Sequence, residues 1–332
     1  MNVVTVILVN YNKYKITLDC VRSLLLMSYQ DFNIVIVDNV SINDSVEQLK
    51  IGLANIGKSN SILTYSEEQR IFLDIPKNLS SKLFLIKIKK LKNQGFAYGC
   101  NIGLNFSIKF LDAKYLWILN NDTTVEKDSL TNLMYYVAKR SDKKVGIIGS
   151  RLTDEKGNYE VYGRYNRLFG TGFSINQYEY IKDDYKIDYL TGASILVKRE
   201  CVEDIGFLAE DFYLYFEDLE WCLRAKRRGW ILSTCIDSYV NHIGSATTGE
   251  LNNGKVIYST YIDYLSFRNR IKVAKSYFFL TLISIYVFLF PLFLKKMIEK
   301  KYKIAFLIFI QIFFPIIFFR EHFFDRYFLE NV

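Results

Sequence analysis

Four short apolar runs divide the first part of the chain. They are Val3–Val9, Phe32–Val37, Leu83–Ile88 and Tyr115–Leu119. Longer segments with helical spacing of apolar residues separate the runs, and this alternation is typical of β-α-β units. The first helix is predicted over Lys15–Ser28, and Ser41 can cap the second, with Asp44 near its first turn. The pattern therefore predicts an α/β fold with a Rossmann-like, mostly parallel central sheet and helices on both faces.

Polar side chains or glycine follow each of these runs. The four strand ends are Asn10-Tyr11-Asn12, Asp38-Asn39, Asn93-Gln94-Gly95 and Asn120-Asn121-Asp122. One such end alone is an ordinary turn, but ligands of open α/β sheets bind beyond the carboxyl ends of the strands. Four polar ends together therefore predict a nucleotide site.

The segment from Asn93 to Gly103 adds a glycine-bearing loop that runs into a helix, and free backbone N–H groups there would suit a phosphate. It is not a G-x-G-x-x-G motif, and the third strand is followed by no ribose-reading acid at the expected distance. A dehydrogenase is therefore disfavoured.

Asp122 is well placed to hold a divalent cation against a diphosphate, because it lies where a buried strand opens into a loop. His242 follows a predicted strand, Ile236–Asn241, and its imidazole can complete an octahedral Mg²⁺ or Mn²⁺ site. A lone histidine is more often simply hydrogen-bonded in place, so its role depends on Asp122. The following stretch from Gly244 to Gly249 is either a loop that closes over a donor or a solvated connector.

The second half of the chain supplies candidates for acceptor binding and base catalysis. Residues 151–190 are rich in Gly and Tyr without helical period, which predicts short antiparallel strands or a mobile surface. A strand is predicted over Asp188–Lys198, with Gly192 and Ala193 inside it, where a ligand or backbone can come close.

An aromatic run from Asp211 turns into a helix whose buried stripe is predicted to be Leu219, Cys222 and Leu223. Glu217 and Asp218 fall at its N-terminus, where the helix dipole favours ionised carboxylates, so simple capping is one interpretation. The other is that the pair supplies a general base that stays charged near neutral pH. We predict Asp218 as the base and Glu217 as its orienting partner.

Composition narrows the class of protein. The chain has 332 residues, of which 50% are hydrophobic, and its net charge of +8 is spread widely. Charge alone selects no partner, and no nucleic-acid partner is predicted. Five cysteines without C-x-x-C spacing indicate reduced cytosolic thiols instead of a disulfide framework or a zinc site. The N-terminus resembles no export signal, so the bulk of the chain is expected to face the cytosol.

Two hydrophobic segments lie near the C-terminus. Residues 276–294 carry no charge, a second uncharged run covers 304–319, and five lysines opposed by Glu299 lie between them. A two-span hairpin would place this basic loop outside, against the positive-inside tendency. We therefore favour helices that lie in or re-enter the cytoplasmic leaflet, with lysines at the phosphate level. Packing on the globular domain or a partner subunit, and full crossing, are the alternatives.

Taken in order, these fragments resemble the family 2 glycosyltransferases of the GT-A fold, particularly the bacterial rhamnosyltransferase-like members. The resemblance covers roughly residues 1–272. It rests on Val9-Asn-Tyr-Asn12, Val37-Asp-Asn39, Asn93-Gln-Gly-Phe-Ala-Tyr-Gly-Cys-Asn-Ile-Gly103, Leu119-Asn-Asn-Asp-Thr123, Leu190-Thr-Gly-Ala193, Phe216-Glu-Asp218, His242-Ile-Gly-Ser245 and Arg268-Asn-Arg270.

The resemblance implies roles for these residues. Asn10 and Asp38 would contact the base and ribose, Asn93 and Asn101 would lie near the nucleotide or diphosphate, and Asp122 would bind the metal. Tyr11, Gly95 and Asn121 belong to the same nucleotide-binding set. Asn120 takes the place of the first acid of the family's D-x-D motif, so metal affinity would depend more on the diphosphate and His242.

The resemblance thus implies an inverting, metal-dependent glycosyltransferase that uses a UDP or dTDP sugar. The signature Q-x-x-R-W of processive synthases does not occur, which favours one sugar per visit, and a lipid-linked glycan acceptor is inferred from the C-terminus. Predicted domains are a GT-A domain over 1–272, with a nucleotide-binding half (1–123) and an acceptor half (124–272), and membrane-associated helices over 273–332. The rivals are a nucleotidyltransferase, which should carry a glycine-rich basic loop after the first strand, and a catalytically silent membrane-bound binding or assembly protein.

Overall fold

The computed structural model describes residues 4–56, 60–76, 79, 81–141, 143–154, 156–176, 186–243, 249–252, 255–258 and 260–313. The chain forms two units, Met1–Arg164 with Ser174–Thr247, and Tyr165–Phe173 with Thr248–Val332. These units are divided at other residues than the predicted domains. The predicted domain boundaries at residues 123 and 272 stay predictions.

The strands, in chain order, are β1 Val4–Asn10, β2 Phe32–Asp38, β3 Asn60–Ser66, β4 Ile71–Leu73, β5 Leu83–Lys89, β6 Tyr115–Asn120, β7 Thr123–Val125, β8 Val145–Thr153, β9 Tyr159–Glu160, β10 Tyr162–Asn166, β11 Thr171–Ile175, β12 Ser194–Lys198, β13 Ile231–His242, β14 Gly249–Asn252 and β15 Lys255–Tyr258. The α-helices are α1 Tyr14–Leu25, α2 Ser45–Asn55, α3 Phe96–Phe110, α4 Ser129–Lys139, α5 Arg199–Ile205, α6 Glu217–Arg227, α7 Thr260–Tyr277, α8 Phe279–Ile298 and α9 Tyr302–Phe313.

The first unit is organised around an 11-stranded sheet with the order β4-β3-β5-β2-β1-β6-β12-β8-β13-β7, in which β9 also pairs with β8. The five strands β3, β5, β2, β1 and β6 pair with one another in parallel, whereas β4 joins β3 and β12 joins β6 antiparallel. In β1, Asn10 pairs with Asp38 of β2, and Val9 pairs with Asn120 of β6. This register brings the polar ends of three parallel strands to one edge, as the sequence predicted.

Helices cover both faces of this sheet, which confirms the predicted layers. On one face, Leu18 of α1, Leu49 of α2 and Leu133 of α4 pack in one apolar cluster. On the other face, Leu104 of α3 and Cys222 of α6 belong to a second apolar cluster. The predicted stripe of α6 is also correct, because Leu219, Cys222 and Leu223 are all buried.

Some local predictions were wrong. Helix α1 ends at Leu25, three residues early, and α2 begins at Ser45 with Asp44 at the N-cap position and no side-chain cap. Ser41 does not cap α2, because its hydroxyl donates to Asp38. The strand predicted to begin at Asp188 begins only at Ser194, since Gly192 and Ala193 form a turn before it.

The predicted strand before His242 starts earlier than expected, at Ile231, because β13 pairs with β8 over most of its length. The Gly-rich, Tyr-rich region contains the predicted short antiparallel strands, β9 against β8 and the β10–β11 hairpin. Its residues 177–185, the stretch Gly244–Thr248, residues 1–3 and the apolar run beyond residue 313 lie outside the described residues.

In the second unit, helices α7, α8 and α9 pack together around Ile271, Ala274, Ile285, Leu289 and Ile308. The β14–β15 hairpin precedes α7. Within the described part of the chain, α8 is the one helix long and apolar enough to cross a membrane, judged by length and composition alone.

Candidate active site

Asp122 and His242 meet at the carboxyl edge of β6. Asp122 follows β6 by two residues and is 5% exposed, while His242 ends β13 and pairs with Thr123 of β7. The His242 Nε2 atom lies 3.3 Å from Asp122 Oδ1 and 3.3 Å from the side-chain nitrogen of Asn120. The backbone N–H of Ile243 donates to the Asp122 carbonyl and fixes the crossing of the two segments. The structure therefore brings together the two residues predicted as metal ligands.

The chemistry of these side chains suits a divalent cation. Two ligands at right angles on Mg²⁺ or Mn²⁺ lie about 3 Å apart, since each lies about 2.1 Å from the ion. The 3.3 Å between Asp122 Oδ1 and His242 Nε2 is close to that separation. Among the described residues, no group of three or more His, Cys, Asp or Glu side chains could hold a metal ion. A cation here would therefore take its other ligands from a diphosphate and water, as Mg²⁺ commonly does.

A buried network connects three of the predicted nucleotide-binding residues. Asn10 donates from Nδ2 to Asp38 Oδ2 over 2.7 Å, and Asn10 Oδ1 accepts from the Thr17 hydroxyl over 2.8 Å. Thr17 in turn accepts from Asn121 Nδ2, and Ser41 donates to Asp38 through both its N–H and its hydroxyl. Asn10 and Asp38 are almost fully buried, so this network fixes the ends of β1, β2 and β6 relative to each other. Their contact with base and ribose stays a prediction.

Tyr11 follows Asn10 and is partly exposed at this edge of the sheet. It is the one aromatic ring among the predicted nucleotide-binding residues. Its contact with the nucleotide stays a prediction.

The loop before α3 is held by the side chain of Asn39, which directly follows β2. Asn39 donates from Nδ2 to Asn93 Oδ1 and to the carbonyl of Gly95, and Asn93 Oδ1 also accepts the Gly95 N–H. The Phe96 N–H donates to the carbonyl of Tyr213 over 2.8 Å. The N–H groups of Gly95 and Phe96 are therefore already bonded within the protein and are not available to a phosphate. Phosphate binding by other N–H groups of this helix end stays a prediction.

Gly95 meets a backbone requirement at this place. Its φ is +94°, and a Cβ there would lie 2.3 Å from the Tyr213 carbonyl oxygen. Only glycine accepts this combination of dihedral angle and close approach. The loop before α6 is therefore locked against the start of α3.

Asn101 connects α3 to the segment before α6. Its Nδ2 donates to the Leu208 carbonyl and to Glu210 Oε1, and its Oδ1 accepts the Leu208 N–H. Both ends of the amide are engaged, and the residue is 5% exposed. This placement gives Asn101 a structural role, and a contact with the nucleotide stays a prediction.

Asp218 is held at the mouth of α6 by backbone donors. Its Oδ2 accepts the Gly192 N–H over 2.9 Å, and its Oδ1 accepts the Leu219 N–H over 2.7 Å. The chain reaches α6 through Tyr213, Tyr215 and Phe216, all with positive φ. Such non-glycine conformations cost energy and concentrate at functional sites. The strained loop aims the carboxylate of Asp218 at the turn before β12.

Glu217 and Asp218 differ in environment. Burial, and then the charge of Asp218, raises the pKa of Glu217 to about 8, and Glu217 Oε2 has no hydrogen-bond partner. Burial also raises the pKa of Asp218, but the Gly192 and Leu219 N–H groups act against that rise. The raised pKa favours the protonated form of Glu217 at neutral pH, and the assignment of Asp218 as base with Glu217 as its orienting partner stays a prediction. Asp218 is the member of the pair that can carry the charge, and no hydrogen bond from Glu217 orients it.

The base candidate and the metal candidate lie at the same edge of the sheet. The Asn120 N–H donates to the Ala193 carbonyl over 3.1 Å, and Ala193 follows Gly192, which binds Asp218. Asn120 also contacts His242. A short chain of backbone and side-chain contacts thus leads from the Asp218 carboxylate to the Asp122–His242 pair.

Sequence reasoning missed two residues beside Asp218. The Thr191 hydroxyl donates to Glu160 of β9, and Thr191 precedes Gly192. The charge of Glu160 is close enough to raise the pKa of Asp218 further. Thr191 stands in the Leu190-Thr-Gly-Ala193 motif, but its contact with Glu160 depends on β9 returning along β8, which no local pattern shows.

Solved structures share this fold. A mannosyltransferase from Pyrobaculum calidifontis, in complex with GDP-Man and Mn²⁺, superposes with a TM-score of 0.52 at 15% identity, over 80% of this chain and 61% of that chain. The transferase GalNAc-T7, with UDP, GalNAc and Mn²⁺, gives a TM-score of 0.57 at 15% identity, over 83% and 48%. The class defined by the fold is therefore GT-A, as predicted.

Sequence comparison identifies the family. The profile described as "Glycosyltransferase like family 2" matches residues 2–255, and the chain belongs to this family. The hexosyltransferase Agl10 of low-salt glycan biosynthesis in Haloferax volcanii is 27% identical over 56% of this chain, and the dTDP-rhamnosyl transferase RfbF of Shigella flexneri is 23% identical over 55%. The chain spans 59% and 63% of the length of these two relatives.

Proposed function

We propose that the protein is an inverting, metal-dependent glycosyltransferase that moves one sugar per visit from a UDP or dTDP sugar to a hydroxyl of a lipid-linked cell-surface glycan. The observation that carries the proposal is the placement of Asp218, Asp122 and His242 at one edge of the sheet, connected through Asn120 and Gly192. The similarity to a dTDP-rhamnosyl transferase supports the choice of donor.

The proposed reaction assigns one task to each group. Asp218 accepts the proton of the acceptor hydroxyl while that oxygen forms a bond to the anomeric carbon. The bond from that carbon to the diphosphate oxygen breaks on the opposite side, so the configuration inverts. Asp122 and His242 would hold Mg²⁺ or Mn²⁺, which stabilises negative charge on the departing diphosphate.

The acceptor and the location follow from the second unit. Helix α8 presents large apolar side chains on its exposed side, and lysines follow its C-terminus. Such a helix suits the surface of a bilayer, where a lipid-linked acceptor would lie. The proposed location is the cytoplasmic face of the cell membrane.

The test is release of nucleoside diphosphate from a panel of sugar donors, with and without Mn²⁺. We expect Asp218→Asn to lower kcat by roughly 10²- to 10⁴-fold, as loss of a general base does. The matched control is Asp211→Asn, because Asp211 lies in the same segment but is exposed. Parent-like turnover by Asp218→Asn would refute the base, and turnover without metal would refute the role of Asp122. Donor binding without turnover by the parent would favour a silent binding protein.

A further inference from the structure

The exposed side of α8 is apolar from Phe279 to Leu294. Phe279, Ile283, Val287, Phe290 and Leu294 recur every three or four residues, so they form one stripe, and each is at least 46% exposed. The opposite side of the helix, with Ile285 and Leu289, packs on α7 and α9. A stripe of this size facing outward is typical of a protein that meets a membrane or a partner.

A segment far away in the sequence packs on the same helix. Residues Tyr165–Phe173, which cover the end of β10, the turn after it and the start of β11, belong to the second unit. The ring of Phe169 lies 4.6 Å from that of Phe288, and Tyr165 stacks on Phe278 at 4.8 Å. A Cβ on Gly170 would lie 2.6 Å from the end of the Ile285 side chain.

This packing determines how α8 can meet a bilayer. Phe288 is the tenth of the 20 residues of α8, so the segment reaches the middle of the helix. If α8 crossed the bilayer, the exposed turn at Phe169 would lie near its midplane, because Phe169 packs on Phe288. Non-helical backbone exposed to lipid does not occur there. The contacts therefore favour an α8 that lies in the plane of the membrane.

The turn itself adds to the apolar surface. Leu168 and Phe169 are 54% and 39% exposed, and Phe169 borders the stripe at Phe288. Lys295 and Lys296 stand in the last turn of α8, and Lys300, Lys301 and Lys303 follow, opposed only by Glu299. Apolar side chains at the acyl boundary with lysines at the phosphate level suit an anionic bilayer.

We propose that α8 and the segment Tyr165–Phe173 together bind the surface of an anionic bilayer, with the helix axis in the membrane plane and Leu168 and Phe169 inserted beside the stripe. This proposal specifies how the protein binds the membrane that the proposed function assigns to it, and it does not depend on the proposed glycosyl transfer. The segment is then a second membrane contact, contributed by the chain between β9 and β12.

The experiment uses the purified full-length protein and phosphatidylcholine vesicles with or without phosphatidylglycerol, separated by flotation. We expect preferential binding to the anionic vesicles, and about a tenfold or greater loss of affinity in Leu168→Ser/Phe169→Ser, because two inserted side chains are removed. The matched control is Leu26→Ser/Ile51→Ser, which alters two exposed side chains of the first unit. Alkaline carbonate should release the parent protein from cell membranes.

Three results would overturn the proposal. One is parent-like vesicle binding by Leu168→Ser/Phe169→Ser, and another is retention of the parent in carbonate-washed membranes, as for a crossing helix. The third is a lipid-free dimer that Ile283→Ser/Val287→Ser converts to a monomer while vesicle binding is unchanged, since the stripe would then bind a second copy. We expect Leu168→Ser/Phe169→Ser to release nucleoside diphosphate at the parent rate when no vesicles are present. Failure of the proposed glycosyl transfer would appear in this assay and failure of the membrane proposal in the flotation assay, so the two are distinguished.

Discussion

Replacement of Glu217 by glutamine should make the protein more stable at neutral pH and remove a pH dependence of its stability. Glu217 begins α6, is 5% exposed, and has a carboxyl oxygen without a hydrogen-bond partner. Burial raises its pKa from 4.5 to about 8. Glutamine keeps the shape of the protonated side chain and cannot ionise.

The magnitude follows from proton linkage. Between pH 4.5 and 8 the folded protein holds a proton on Glu217 that the unfolded chain has released, so unfolding becomes more favourable as pH rises. Each unit of pH in this window lowers the free energy of unfolding by about 1.4 kcal/mol. From pH 5 to 7.5 the parent should lose about 3 kcal/mol relative to Glu217→Gln.

Urea titrations followed by tryptophan fluorescence measure this difference. The three tryptophans, Trp117, Trp221 and Trp230, all belong to the first unit, so the signal reports its unfolding. The matched control is Glu200→Gln, because Glu200 is an exposed glutamate in the first turn of α5. The control should follow the parent at both pH values.

One outcome would refute this reasoning. If Glu217→Gln changes in stability between pH 5 and pH 7.5 as steeply as the parent, the difference between the two proteins is constant. Glu217 is then ionised in the folded protein across this range, and another group causes any loss of stability.

Three further predictions concern the site. Gly95→Ala should lower the free energy of unfolding by at least about 2 kcal/mol in urea titrations, since its Cβ would meet a backbone carbonyl at 2.3 Å. The control is Gly157→Ala, whose Cβ would meet nothing within 4 Å. It should lose only about 1 kcal/mol, because alanine is strained at positive φ. Glu160→Gln should move the acidic limb of the kcat–pH profile to lower pH, because it removes a like charge that raises the pKa of Asp218, and an unmoved limb would contradict this. Thr17→Val should raise the KM for the donor several-fold with little change in kcat, since its hydroxyl bridges two amide side chains at the sheet edge, and an unchanged KM would contradict this.

The predicted nucleotide and metal residues lie together because parallel strands end at one edge of the sheet. This edge could be predicted because β-α-β periodicity is a pattern between near neighbours in the sequence. The metal candidates illustrate how far such a signal reaches. Asp122 was evident at a strand end, but its contact with His242 depends on β13 pairing with β7, far apart in sequence. For Asn101 the local pattern was less informative. Its position in the motif predicted a place near the nucleotide, whereas in the structure its side-chain amide is hydrogen-bonded to Leu208 and Glu210.

The order of apolar runs and polar ends in the sequence determined the α/β class, the family and the edge of the sheet that carries the site. Periodicity and turn chemistry act between near neighbours, so they can be read along the chain. Only the tertiary structure decided the protonation of Glu217, the hydrogen bonds that engage Gly95 and Phe96, and the packing of Tyr165–Phe173 on α8. Burial and hydrogen bonding depend on which distant segments meet, and no local pattern encodes that.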